Sequence, residues 1–71
     1  MTDAERAANL AALLNHPGFI ELESMAKDRA FTTFAQSDNI ENMKTTVDEW
    51  RAVQRLRRLA ENYVADVSAK G

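Results

Sequence analysis

Only three residues in the chain favour tight turns through their backbones: Pro17, Gly18 and Gly71. From Phe19 to Lys70 there is neither glycine nor proline. A sheet must reverse direction every few residues and needs turn formers to do so. No stretch alternates polar and apolar residues, and there is no internal repeat or low-complexity tract. The reading is an all-α fold made of a few long helices.

The first helix is predicted from Asp3 to Leu14. Thr2 stands at its N-cap with Glu5 three residues on, the spacing of a capping box, and Asp3 and Glu5 suit the positive end of the helix dipole. Ala7, Leu10, Ala11 and Leu14 make its apolar stripe. Asn15-His16-Pro17-Gly18 ends it. Proline disfavours helical geometry at the residue before it and is favoured at a first helical position. Asn15 or His16 therefore caps a second helix, Pro17 to Gln36. At 100° per residue Phe19, Leu22, Ala26, Ala30 and Phe34 share a face, widened by Ile20, Met25 and Phe31, while Glu21, Asp28, Thr32 and Gln36 face away. Phe19, Met25, Phe31 and Phe34 are assigned to the core and not to a ligand pocket. Ser37-Asp38-Asn39 is the second corner, with Asp38 and Glu41 read as another capping box. A third helix follows from Asn39 to Ser68, about 45 Å long at 1.5 Å per residue. The short corner makes the last two helices an antiparallel hairpin.

The third helix carries the most informative pattern. Ile40, Met43, Val47 and Trp50 share one face in its first half. Val53, Leu56, Leu59, Ala60, Tyr63, Val64 and Val67 cluster on nearly the opposite side in its second half. The stripe is read as rotating near Ala52, so that the two halves serve two surfaces. The first half is expected against the second helix. The second half is expected against the first helix, another copy or a partner. The candidate interface residues are Trp50, Val53, Leu56, Tyr63 and Val64, the aromatics being the anchors that dominate many interfaces.

A chain of 71 residues holds one domain, 1–71, and buries only a small core. The usual supports are missing. There is no cysteine, hence no disulfide and no thiolate metal site, and one histidine cannot build a zinc site alone. Self-association or a partner is the expected source of stability. No N-terminal stretch has the pattern of a signal peptide, and the apolar cluster from Leu10 to Leu14 is too short to cross a bilayer. The expectation is a protein without a membrane, in the cytoplasm of a bacterial host or in a virion.

Charge divides the chain. Residues 1–49 hold nine acids and four bases, net −5, and residues 50–71 hold five bases and two acids, net +3. Arg51, Arg55 and Arg58 stand on one face at spacings of four and three, with Arg57 to the side. They are the candidate contact for an anion, nucleic acid or acidic partner. The competing reading is a solvated face balanced by Asp48 and Glu61. No aromatic residue interleaves the arginines, so there is no stacking platform for single strands. His16, in its corner, is read as a capping residue.

No catalytic constellation is legible. Glu21 and Glu23 point in different directions on a helix, a single histidine supports no Ser-His-Asp set, and the glycines form no phosphate-cradling loop. No cofactor, metal or catalytic residue is expected.

The corner Leu13-Leu14-Asn15-His16-Pro17-Gly18-Phe19, followed by a mixed-charge helix, a second corner and a long arginine-rich helix, resembles small helical-hairpin proteins of tailed bacteriophages. Those proteins look like products of the head-assembly and DNA-packaging gene region. The resemblance spans the chain from about Leu10 onward. Helix two departs from that pattern, with Thr32, Thr33 and Phe34 where it is richer in glutamate. The resemblance implies an assembly or packaging role and no catalytic residues. Three functions are carried forward: an assembly or adaptor protein, a nucleic-acid-associated protein using the arginine stripe, and an inhibitor presenting Glu21, Glu23 and Asp28. A helix-turn-helix is disfavoured because the third helix is too long and starts acidic.

Overall fold

The computed structural model describes residues 1–70 and contains three helices: α1 (Asp3–Leu14), α2 (Pro17–Gln36) and α3 (Ile40–Lys70). Among the described residues there is no strand.

Each helix starts where a side chain can satisfy its free amides. The Thr2 hydroxyl accepts from the Glu5 amide at 3.1 Å and donates to the Glu5 carboxylate at 3.2 Å. His16 is the cap of α2. Its Nδ1 accepts from the Gly18 amide at 2.9 Å, and Pro17 occupies the first turn. A Cβ on Gly18 would lie 3.0 Å from that nitrogen, so the bare backbone leaves room for the ring. Asn15 closes α1, its amide group donating to the Ala11 carbonyl at 3.0 Å.

The second corner differs from the reading above. Asn39, and not Asp38, caps α3. Its Oδ1 accepts from the amides of Glu41 at 2.9 Å and Asn42 at 3.2 Å, while the Ser37 hydroxyl accepts from the Asn39 amide. The helix consequently begins at Ile40, one residue later than expected, and runs to Lys70, two residues further.

α1 and α2 both pack on α3 and barely touch each other. Glu23 meets Arg57, Arg29 meets Glu49 and Phe31 meets Trp50. From α1, Leu14 meets the same Arg57, and Asp3 meets Tyr63. The 12 residues of α1 and 20 of α2 thus lie one after the other along the 31 of α3, giving a body 50 × 20 × 18 Å.

The packing line on α3 is a single heptad seam. Met43, Thr46, Trp50, Val53, Arg57, Ala60, Val64 and Val67, spaced alternately three and four, are all buried or half-buried. Only Val47 and Tyr63 join them. The spacing is that of a helix keeping one edge toward its neighbours. The seam therefore does not switch sides near Ala52. The first half meets α2 through Arg29–Glu49 and Phe31–Trp50, and of the alternatives left open for the second half the structure shows α1 there, through Leu14–Arg57 and Asp3–Tyr63. The apparent rotation arose because polar residues fill two seam positions. Thr46 is buried, its hydroxyl donating to the carbonyls of Asn42 and Met43. Arg57 finds a carboxylate. Leu56 and Leu59, which set the apparent second stripe, lie beside the seam.

The α2 side of the seam is Phe19, Glu23, Ala26, Ala30 and Thr33, again spaced four and three. It is lined with small residues. Among the described residues Ala7, Ala26, Ala30 and Ala60 are the buried apolar residues, and no large side chain is fully buried. The core assignment is corrected here: Leu22, Met25, Phe31 and Phe34 are exposed and Phe19 is half-buried. Alanine pairs let helices approach closely, which leaves bulky neighbours on the flanks and not between the helices.

Candidate interaction surface

Two apolar flanks run beside the seam. Stepping back one residue from buried Ala30 gives Arg29 on one flank, and stepping forward gives Phe31 on the other.

The first flank holds a groove of about 430 Å³ between α1 and the second half of α3. Leu10, Leu13 and Leu14 form one wall, Leu56, Leu59 and Tyr63 the other, and Phe19 closes the end. Arg6 is the only charged residue in its lining. The groove continues along the molecule. Leu22 and Val53, each three residues from a groove residue on its own helix, lead into a smaller depression with Met25, bounded by Arg29 and Glu49. Leu56 is 61 % exposed and Leu59 67 %, values uncommon for leucines gathered into one strip. The strip is apolar and concave, with Arg6, Arg29 and Glu49 as the charged residues of its lining.

The opposite flank is aromatic. Phe31 and Trp50 pack with ring centroids 5.5 Å apart, tilted at 52°, and Phe34 and Val47 complete a shallower depression. The Lys27 ammonium lies 5.9 Å from the Phe31 ring.

Between the two halves of the molecule sits Arg57. Its Nε donates to Glu23 Oε2 at 2.5 Å, one terminal nitrogen donates to Glu23 Oε1, and the same nitrogen reaches the Leu14 carbonyl at 3.2 Å. Its guanidinium also lies over the Phe19 ring, 5.3 Å from the centroid. One side chain thus bridges all three helices and occupies a free carbonyl at the end of α1. Hydrogen bonds from Arg57 hold the Glu23 carboxyl below its ordinary pKa, against an opposing effect of partial burial. The same bonds push the Arg57 pKa up. This node was not recognised in the sequence, where Arg57 was set aside from the arginine stripe. The signal was available: Arg57 lies seven residues from Trp50 and from Val64, on the seam.

The structure disperses the other candidate residues. Val53 and Val64 lie half-buried in the seam, and Trp50 packs on Phe31. Tyr63 is half-buried beneath Arg6, its hydroxyl donating to Asp3 at 3.3 Å. Leu56 stands free on the first flank, and Leu13, Leu22, Met25 and Leu59 join it there. Arg51, Arg55 and Arg58 are exposed, and none has a carboxylate within ion-pairing distance among the described residues. Of the three residues considered for the acidic face, Glu23 is engaged by Arg57, leaving Glu21 and Asp28 on the outer face of α2.

Among the described residues no group of three or more histidine, cysteine or carboxylate side chains is placed to hold a metal ion. No described helix is long and apolar enough to cross a membrane. Compared with known protein families, curated proteins and solved structures, the chain matches none.

Proposed function

We propose that this chain is a non-enzymatic assembly or adaptor protein. In this reading it is an antiparallel helical hairpin extended by α1 that works by protein–protein contact through the leucine-lined flank. The observation that carries the reading is the distribution of bulk: alanines occupy the buried positions while Leu13, Leu22, Met25, Leu56 and Leu59 remain on the surface. Soluble monomers rarely leave a contiguous strip of this kind uncovered. The resemblance of the Asn15–Phe19 corner to phage helical-hairpin proteins supports a place among structural or packaging accessories of a virion.

The test is a photo-crosslinking residue placed at Leu59 in cells that make the protein. Covalent capture of a protein partner, itself or another, is expected at this position and not at Thr32 on the outer face of α2. No capture at Leu59 would sink the reading.

A second reading rests on the unpaired arginines. Arg51, Arg55 and Arg58 offer a local cationic stripe to a nucleic-acid backbone despite the net charge of −2. Its signature is binding to random-sequence duplex that weakens steeply with salt and is lost in the triple alanine variant. Absence of binding at low salt rules it out.

A further inference from the structure

We infer that the occupant of the leucine-lined flank is a second copy of this chain, apposed about a two-fold axis that passes close to Leu56. This deepens the reading above and rests on it.

The first argument is area. Folded monomers of 8.0 kDa expose about 4,500 Å² by the scaling of surface with mass, whereas this chain exposes 5577 Å². The excess, roughly 1,100 Å², exceeds the ~800 Å² that each partner covers in a standard interface. The excess follows from the architecture. One layer of helix lies on another with no third layer, and the radius of gyration is 15.5 Å where a compact chain of this length has about 11 Å. A second copy supplies the missing layer.

The second argument is charge. A partner of different chemistry is selected by complementary charge around an apolar centre. This flank presents none at its middle. Its lining residues are uncharged from Leu10 to Met25 apart from Arg6 at one end, and the charges at the other end, Arg29 and Glu49, already pair with each other at 3.8 Å. A two-fold contact places the same patch on both sides and so requires a surface that does not repel itself. The middle of the strip meets that requirement; of the charges at its ends, Arg29 and Glu49 pair with each other and Arg6 lies over the Tyr63 ring.

The third argument places the axis. The strip extends from Leu59 and Tyr63 at one end to Met25 and Val53 at the other, and Leu56 lies between them. Residues at the middle of an isologous patch meet their own counterparts.

The chain has no cysteine, so a single introduced one reports on one contact. Leu56→Cys and Phe34→Cys are compared under mild oxidation, with light scattering of the unsubstituted protein across a hundredfold range of concentration. The expected result is a mass twice 8.0 kDa at high concentration, most of Leu56→Cys recovered as a covalent dimer, and no more than background from Phe34→Cys. Leu56→Asp should reduce the mass to that of one chain while keeping full helical content. Three results would each overturn the inference: one chain's mass at every concentration, cross-linking through Phe34→Cys and not Leu56→Cys, or a dimer that survives Leu56→Asp. If the purified chain is monomeric while Leu59 is captured by a different protein in cells, self-docking fails and the adaptor reading stands. If there is neither dimer nor capture, both fail.

Discussion

The seam and the flank of this molecule are built by opposite rules. In the seam, Ala26, Ala30, Thr46 and Ala60 are buried, and among the described residues no buried side-chain nitrogen or oxygen lacks a hydrogen-bond partner. On the flanks, Leu13, Leu22, Met25, Leu56 and Leu59 on one side and Phe31 and Phe34 on the other are exposed. A chain of this length that buried its bulky residues would have a core and a polar surface. Here alanines hold the buried positions, and the large side chains stand on the surface. In the proposed reading stability and recognition fall to different side chains, and substitutions should separate them.

Ala30→Leu should have the largest effect on folding. Ala30 is 2 % exposed, and added bulk would force α2 away from α3. Overpacking of this kind costs about 1–3 kcal/mol. Denaturant unfolding at a fixed low concentration checks it. An unchanged midpoint would show that the seam is looser than its alanines indicate.

Next comes the Arg57 node, which belongs to the seam by position and to neither class by chemistry. Because Arg57 lowers the pKa of Glu23, the folded state binds the proton less readily than the unfolded chain. The stabilisation is complete above the ordinary carboxylate pKa and is lost as pH falls through the lowered one. Glu23→Gln should therefore unfold more readily than the unsubstituted protein at neutral pH, and the difference should close in acid. A difference that persists unchanged in acid would mean that the ion pair is not its source. Arg57→Lys keeps the charge but not the fork that reaches Glu23 and the Leu14 carbonyl together, so it should recover only part of the difference.

A smaller effect distinguishes the two candidate caps of α3. Asn39→Ala should cost about 1 kcal/mol, since it leaves the amides of Glu41 and Asn42 without an acceptor. Asp38→Ala should be close to neutral. The reverse order would restore the cap expected from the sequence.

That misplaced cap shows what was legible and what was not. Helix boundaries could be read where a residue has few alternatives. Pro17 can only begin a helix here, Thr2 alone precedes α1 with an oxygen in reach, and His16 must leave the helix before proline. At Ser37-Asp38-Asn39 three capping residues stand in a row, and the choice depends on how the corner turns toward α3. The heptad seam was hidden for a related reason. Hydrophobicity marks Leu56 and Leu59 and passes over Thr46 and Arg57, although spacing alone puts the latter two in line with Trp50, Ala60 and Val64. Arg57 becomes a seam residue only because Glu23 stands opposite it, a pairing across 34 residues that no local pattern reveals. The exposed leucine strip was partly visible through Leu56 and Tyr63. Its α1 and α2 contributions, Leu13, Leu22 and Met25, required knowing that alanines take the buried positions.

The smallest expected effect is the most discriminating for the comparison. Phe34 is 65 % exposed on the aromatic flank, away from the proposed self-contact. A phenylalanine in a core loses about 3–5 kcal/mol on truncation to alanine, whereas exposed positions change by about 0.5 kcal/mol or less. Phe34→Ala should fall in the second class, and it should do so equally at concentrations where the protein is a single chain and where it is a dimer. A loss of core size in the single chain would place Phe34 inside the fold and erase the division between seam and flank. A loss that appears only on association would move the self-contact to the aromatic side. A neutral result at both concentrations leaves Phe31, Phe34 and Trp50 as a second apolar surface facing away from the proposed self-contact.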